Sequence, residues 1–348
     1  MDVEFHYYMT YLVAAAAGYP PADALKIAYA SQYVDDNKFQ FDIDKGQASA
    51  YQNYISQTMD ILKPKDRLMR IYPIFHFVPG EPMSEACMRL DGCLHMLNTT
   101  PGNQNASELL RAAIQTDDLQ RIGVATHAFA DTWAHQNFVG YFDAFNAMNG
   151  PLEKLSPNIG HADAGHLPDL PTAVWQDPRM VSGQVDNRQR FLEAAEAVMT
   201  MFMGRIDPAM SPQEASRRLA AMRLELNQAM GKRDDQNVMS DERIERYVAL
   251  GEKPFFGGQA IPRYDPELWL DMAVNEEVRG LKDRWMGQNL EFLGREIPVV
   301  ADIYTWRDPG SRQTTDWWRF QEAVKAHQDM AWAMLRTGNM RFMSMQRL

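Results

Sequence analysis

Two histidines and an aspartate recur at steps of four residues in the middle of the chain. His127, Asp131 and His135 lie in the segment GVATHAFADTWAHQNF, residues 123–138. If this segment is an α-helix, each step of four advances about 40° around the axis and about 6 Å along it, so the three side chains line one strip. Two imidazoles and a carboxylate arranged in this way suit a divalent transition metal, most often zinc. A helix with two hydrogen-bonded histidines and an exposed acid is the alternative.

Other histidines and acids in the first half of the sequence favour the metal hypothesis. Six of the eight histidines and three aspartates are candidate ligands. The predicted ligands are His6, Asp35, His76, His127, Asp131, His135, His161, His166 and Asp169. Such a set exceeds one tetrahedral site and suits two or three ions with positions left open for water and substrate. Zinc fits this mixture best, and manganese or iron would fit if carboxylates dominate.

Helices must position the first of these ligands. The pattern predicts a helix over residues 5–17, with His6 in its first turn, and a second over residues 21–36. Asp35 and Asp36 would stand at the carboxyl end of the second helix, where a carboxylate is unfavourable with the helix dipole. A nearby metal cation would offset that cost, and a frayed surface end is the alternative.

The other ligands are predicted on three kinds of segment. The central strip belongs to a helix that Thr116 would cap. His76 lies in an aromatic segment, residues 68–80, which Pro73 marks as extended or as an edge strand. His161 and His166 belong to a shaped loop, NIGHADAGHLPDLP. Further helices are predicted over residues 51–62, 84–97, 212–230 (capped by Ser211), 240–250, 265–279 and 313–337, with His95 and His327 interpreted as structural.

Composition excludes some classes of partner. The formal net charge of −11 argues against a surface that coats nucleic acid or binds an anionic membrane. The two cysteines, Cys87 and Cys93, are too few for a disulfide scaffold. The apolar run Met9–Ala17 is too short for a transmembrane segment and no basic region precedes it, so we expect a cytoplasmic protein. Nothing in the sequence indicates the oligomeric state.

The order of the ligand segments resembles the zinc-dependent phospholipase C and single-strand nuclease superfamily. The resemblance rests on the N-terminal His6, the helix ALKIAYASQYVDD, the strings FHFVPG and HAFADTWAH, and the loop GHADAGHLPDLP. It covers about residues 1–175, and an uncharacterised bacterial branch is the most similar. It implies an all-α, multi-helix bundle of the phospholipase C/nuclease type, with additional C-terminal helices. Residues 1–175 would form the metal-binding core, and residues 176–348 a helical scaffold packed on it as one globular unit.

The same resemblance implies roles for the ligands. The zinc ions would lie in a cleft between helices. His6 would match the family's N-terminal histidine, Asp35 (or Asp36) its bridging aspartate and His76 the histidine that follows. His127 and Asp131 would match its H-x3-D, with Asp131 bridging two ions, and His135 the next helix histidine.

This sequence departs from the family at both ends of the ligand set. The last family pair is a histidine with an acid four residues later, but position 165 is Gly. His161 therefore lacks that partner, whereas His166 has Asp169 three residues on. Family members also bind one of their three zinc ions through the amino group of an N-terminal Trp. In this chain Asp2, Glu4 or the Met1 amino group would take the place of that ligand, or the third ion would be absent.

The function implied is a zinc-dependent hydrolase of phosphate esters. A metal hydroxide would attack phosphorus, with Asp35 or Asp36 orienting the water or accepting its proton. Phospholipid, nucleotide and small phosphodiester remain open as substrates, and the acidic surface favours a soluble small molecule. The alternatives are a metalloenzyme of another class, such as a di-iron oxygenase, and a non-catalytic metal-binding protein. The first is disfavoured because the sequence contains no Glu-x-x-His pair.

Overall fold

The computed structural model describes residues 1–58, 69–148, 159–279, 290–292, 295–297 and 301–341. The chain divides into two compact units. The first comprises residues 1–38, 56–264 and 323–348, and the second comprises residues 39–55 and 265–322. Every candidate ligand lies in the first unit. The sequence-based division between a metal-binding core and a scaffold at residue 175 stays a prediction.

The first unit is mainly helical. Its α-helices are α1 (Thr10–Ala17), α2 (Pro21–Asp36), α3 (Gln104–Ile114), α4 (Leu119–Ala134), α5 (Asn187–Ile206), α6 (Pro212–Met230), α7 (Ser240–Gly251) and the later part of α9 (Asp316–Thr337). Two π-helices, Glu4–Met9 and Tyr72–His76, join them, together with short 3-10 turns. A hairpin of β3 (Val174–Gln176) and β4 (Gln184–Asp186) completes the unit.

Local sequence signals explain where several helices begin. Pro21 occupies the first turn of α2, where its missing N–H costs nothing. The Ser211 side chain accepts a hydrogen bond from the Glu214 amide, which confirms the predicted cap of α6. Helix α4 begins two residues later than predicted. Its cap is Asp118, whose carboxylate accepts the Arg121 amide, so the prediction of Thr116 as the cap is wrong.

A glycine lets α2 and α4 pack unusually closely. A Cβ atom at Gly123 would lie 2.5 Å from the Ile27 carbonyl oxygen and 2.5 Å from the Ala30 Cβ. Because backbone oxygen cannot move aside as a flexible side chain can, only glycine allows this approach. The close contact sets α4, which carries the predicted metal ligands, directly against the end of α2.

The second unit contains a small sheet, so the all-α prediction is confirmed only as a helix-rich fold. The strand order is β2–β1–β8–β5, with β1 (Asp42–Ile43), β2 (Tyr51–Gln52), β5 (Val274–Arg279) and β8 (Ala301–Trp306). A separate hairpin pairs β6 (Leu290–Phe292) with β7 (Arg295–Ile297). Helix α8 (Leu268–Ala273) runs straight into β5, so the helix predicted over residues 265–279 is wrong beyond Ala273.

Three other predicted segments differ from the structure. Residues 51 and 52 form β2, so a helix does not begin there; residues 59–62 of that prediction lie outside the described part of the chain. The segment around His76 forms a π-helix, because Pro73 stands in its first turn, where proline is tolerated. The helix predicted over residues 84–97 is reduced to the 3-10 turn Glu85–Cys87. Among the described residues, no helix is both long and apolar enough to cross a bilayer.

Candidate metal centre

Helix α4 carries the centre of the site. His127 and Asp131 project from it into the interior, where their side chains are 0% and 1% exposed. His135 caps the carboxyl end of the helix, and its amide bonds the Asp131 carbonyl at 2.8 Å. The predicted strip of two imidazoles and a carboxylate therefore exists, and it faces other candidate ligands instead of solvent.

Asp131 lies between two groups of ligand atoms. Its Oδ1 is 2.5 Å from the Met1 amino nitrogen and 3.0 Å from His6 Nε2. Its Oδ2 is 3.3 Å from His76 Nδ1 and 3.2 Å from His127 Nε2. One carboxylate thus presents each oxygen to a different set of nitrogens, which is the geometry of a bridging ligand.

Asp35 completes the group on the Oδ2 side. Its Oδ1 lies 3.7 Å from His76 Nδ1 and 3.8 Å from His127 Nε2. The two imidazole nitrogens are 3.0 Å apart. Ligand atoms around a tetrahedral zinc ion, at about 2.0 Å from the metal, are separated by roughly 3.3 Å, so these spacings are of the size that one ion requires.

A third group lies at the carboxyl end of α4. The two oxygens of Asp169 face two histidines: Oδ1 is 3.0 Å from His135 Nε2, and Oδ2 is 3.2 Å from His161 Nε2. The Met1 amino nitrogen is also 3.1 Å from Asp169 Oδ1. Each of the three groups, His6–His127–Asp131, Asp35–His76–His127 and His135–His161–Asp169, has ligand atoms within 4.8 Å of one another.

Backbone carbonyls determine which imidazole nitrogen faces the cluster. Nδ1 of His127 donates to the Ser31 carbonyl at 2.8 Å, and Nδ1 of His135 donates to the His76 carbonyl at 2.7 Å. Nδ1 of His161 donates to the Gly165 carbonyl at 2.8 Å. In His76 it is the other ring nitrogen, Nε2, that donates to a backbone carbonyl, that of Ser56, at 3.0 Å. Since a carbonyl can only accept, the other nitrogen of each neutral ring carries a lone pair directed into the cluster.

Two of these ring nitrogens face each other directly. His76 Nδ1 and His127 Nε2 are both acceptors in the neutral rings, and they face each other at 3.0 Å. Two acceptors at that distance repel unless a cation lies between them. Although burial alone would lower the pKa of His76, its hydrogen bond to Asp131 and the charge of Asp35 raise it, so a proton on His76 is the cation that a metal would replace. His6 Nδ1 is buried and has no hydrogen-bond partner within the described part of the chain. The donor set, two carboxylates and three imidazoles around these nitrogens, therefore fits a divalent metal.

The electrostatics keep His6 and Asp131 in the forms that bind metal, whereas the Met1 amino group is held protonated. Burial, and then the neighbouring His127, lower the pKa of His6 to about 3, so its ring is neutral at pH 7. Burial alone would raise the pKa of Asp131, but His135, the Met1 amino group and His127 hold it well below the usual value. Burial opposes the charge on the Met1 amino group, yet Asp131 and Asp169 raise its pKa from 8.0 to about 11. In the absence of metal this ammonium supplies positive charge to the carboxylates.

Two candidate residues lie outside the three groups. His166 is exposed and belongs to none of them, so the structure brings His161 to Asp169 instead. Asp36 accepts hydrogen bonds from the Tyr264 hydroxyl at 2.7 Å and from Gln32 at 3.2 Å. Both hydrogen bonds are to Asp36 Oδ2, and Asp36 belongs to none of the three groups.

The cluster is open to solvent on one side. The side chains of Asp35, His161 and Asp169 are 27%, 19% and 16% exposed, whereas those of His6 and His127 are fully buried. A small molecule would therefore approach beside Asp35 and Asp169. The carbonyl partners of the histidines could not be inferred from residue types, because any residue supplies a backbone carbonyl.

Comparisons with known proteins add a family assignment. The model of a family of unknown function, DUF6765, matches residues 1–335. Neither the comparison with curated proteins nor that with solved structures finds a match.

Proposed function

The chain belongs to the family of unknown function DUF6765, and we propose that it is a divalent-metal-dependent hydrolase of phosphate esters. The observation that carries the proposal is the pair of ring nitrogens, His76 Nδ1 and His127 Nε2, which face each other at 3.0 Å beside Asp35 and Asp131. Each imidazole is held in this orientation by a backbone carbonyl. Nature fixes ligand tautomers in this way at metal sites.

The ligands divide among two or three ions. His6, Asp131 and, once it has lost its proton, the Met1 amino group would hold one; Asp35, His76, His127 and Asp131 a second; and His135, His161 and Asp169 a third. Only nitrogen and carboxylate oxygen are offered, which suits zinc, with manganese or iron as alternatives. Asp131 would bridge the first two ions, because its two oxygens face the two groups.

Phosphoester hydrolysis needs an acidified water and positive charge near the phosphorus, and bound divalent ions supply both. The chain itself supplies a proton acceptor and an entrance. Asp35 is the more exposed carboxylate of the second group, and its Oδ1 also accepts a hydrogen bond from Gln57 at 3.3 Å. In this proposal Asp35 would orient a water molecule and accept its proton.

The resemblance of the ligand order to the phospholipase C and single-strand nuclease superfamily supports the same reaction class, and the proposal includes that superfamily's helical bundle. Among the possible substrates, we favour a small phosphodiester. The formal net charge of −11 gives little affinity for a polyanion through counterion release.

Metal content is the first test. Purified protein should bind at least two equivalents of zinc, measured by elemental analysis and located by anomalous scattering. His127→Ala and Asp131→Ala should both lower the zinc content and the melting temperature, because bound metal stabilises the native state by mass action. Full zinc retention in both variants would refute the site.

Activity is the second test. The zinc-loaded protein should hydrolyse bis-nitrophenyl phosphate, and a chelator should abolish the reaction. Readdition of zinc should restore it. A zinc-loaded protein that is inert towards phosphomonoesters, phosphodiesters and phospholipids would leave a metalloprotein of another chemistry as the better interpretation.

A further inference from the structure

Glu4 is a buried carboxylate that lies beside the proposed metal centre without belonging to it. It begins the π-helix Glu4–Met9, two residues before His6, and its side chain is 0% exposed. A carboxylate removed from water in this way is costly unless it is paired and hydrogen-bonded. The residues that pair with Glu4 are therefore needed to keep its carboxylate buried.

The partner of Glu4 is an arginine from the second half of the sequence. Arg243 on α7 is also 0% exposed and binds Glu4 with two nitrogens: Nε to Oε2 at 2.8 Å and Nη2 to Oε1 at 2.8 Å. Its remaining nitrogen, Nη1, binds Asp234 Oδ2 at 2.8 Å. Ser240, at the start of α7, donates to Glu4 Oε1 at 3.2 Å.

The π-helix is thus held from two directions. Glu4 faces α7 through the arginine fork, whereas His6 faces α4 through Asp131. A bidentate arginine–carboxylate bond fixes orientation as well as distance. Because His6 is only two residues away, fixing the carboxylate of Glu4 also fixes the rotation of the helix that presents the His6 ring.

Stability alone does not account for such a network. Buried ion triads can often be replaced by apolar side chains without loss of stability, and their best-attested use is to specify one arrangement among several. We propose that Glu4, Arg243 and Asp234 form a positioning network that holds His6 and the Met1 amino group against Asp131. This inference rests on the proposed metal centre and assigns α7 a part in assembling it.

The test compares metal binding in Arg243→Met with that in the unsubstituted protein. Loss of the fork should remove one equivalent of zinc, or weaken it at least tenfold, while the remaining equivalents keep their affinity. Cobalt substitution should show the same selective loss in the visible absorption spectrum. Arg243→Lys, which keeps the charge but not the fork, should recover that equivalent at higher free metal.

Met222→Ala is the matched control. Met222 is fully buried on α6, and its truncation leaves the ion network intact. This variant should lose thermal stability comparably and still bind every equivalent of zinc. If Arg243→Met and Glu4→Gln also keep every equivalent at unchanged affinity, the positioning network is refuted.

Amide hydrogen exchange on metal-free protein separates this inference from the proposed function. In Arg243→Met, residues 4–9 should lose protection while α4 stays protected. If the unsubstituted protein binds no zinc, the proposed function fails, and loss of protection in residues 4–9 still supports the network. Unchanged protection in residues 4–9 counts against the network whatever the metal content.

Discussion

A single methyl group at Gly123 should damage the proposed metal centre through the backbone of α2. The added Cβ would lie 2.5 Å from the Ile27 carbonyl oxygen, whereas ordinary contact begins at 3.4 Å. The two helices must therefore separate by about 0.9 Å at this point. Four residues along α4, Nδ1 of His127 donates to the Ser31 carbonyl at 2.8 Å. A displacement of that size would stretch this bond beyond hydrogen-bonding distance.

Two effects follow from Gly123→Ala. Overpacking should cost about 1–3 kcal/mol in the free energy of unfolding, partly offset by about 1 kcal/mol from the better helix propensity of alanine. Loss of the carbonyl that orients His127 should weaken zinc binding about 10- to 100-fold, which is the usual effect of removing such a partner. The loss of metal affinity should therefore exceed what the loss of stability alone explains.

Gly204→Ala provides the control. Gly204 is an exposed residue of α5, and a Cβ there meets nothing within 4 Å. This variant should be slightly more stable and bind zinc normally. The measurements are zinc affinity by competition with a chelating dye and urea unfolding of metal-free protein. If Gly123→Ala binds zinc as tightly as Gly204→Ala does, the close packing of α2 and α4 does not orient the ligand.

Three further predictions concern individual side chains. His161→Ala should lose one equivalent of zinc by elemental analysis, whereas His166→Ala should keep all of them; the reverse result would refute the assignment of the third group. Asp35→Asn should lower the rate of phosphodiester hydrolysis about 10²- to 10⁴-fold because an amide cannot accept the proton, and Asp36→Asn, assayed alongside, should stay near the parent rate. Burial lowers the pKa of His327 from 6.5 to about 4, so the unfolded chain binds a proton on this ring more readily than the folded chain does. The free energy of unfolding should therefore fall as the pH is lowered from about 6.5 towards 4, by about 1.4 kcal/mol per pH unit. In urea unfolding of metal-free protein, His327→Gln should show a shallower loss; an identical pH dependence in both proteins would contradict this.

The sequence was informative where local chemistry decides the structure. Helix α2 begins and ends where its prolines and its acidic pair predict, at Pro21 and Asp36. The step of four on α4 brings His127 and Asp131 side by side, with His127 Nε2 at 3.2 Å from Asp131 Oδ2. This geometry follows from the α-helical repeat alone and needs no tertiary contact.

Other features depend on contacts that residue types do not reveal. Strand β5 follows α8 without a break, because it pairs along its whole length with β8, from Val274 opposite Trp306 to Arg279 opposite Ala301. Sequence spacing favoured His166 as the partner of Asp169, yet backbone turns bring His161 there. Gly165, at φ 59°, forms part of the turn that supplies the carbonyl partner of His161.

His76 serves two neighbouring groups at once. Its ring nitrogen Nδ1 faces Asp35 and His127 in the second group, while its backbone carbonyl accepts the hydrogen bond that orients His135 in the third. An ion that orients the His76 ring therefore also fixes the His76 carbonyl, which orients His135 in the third group. Loading should consequently be cooperative: a zinc titration should be steeper than for independent sites, and partly loaded protein should be scarce.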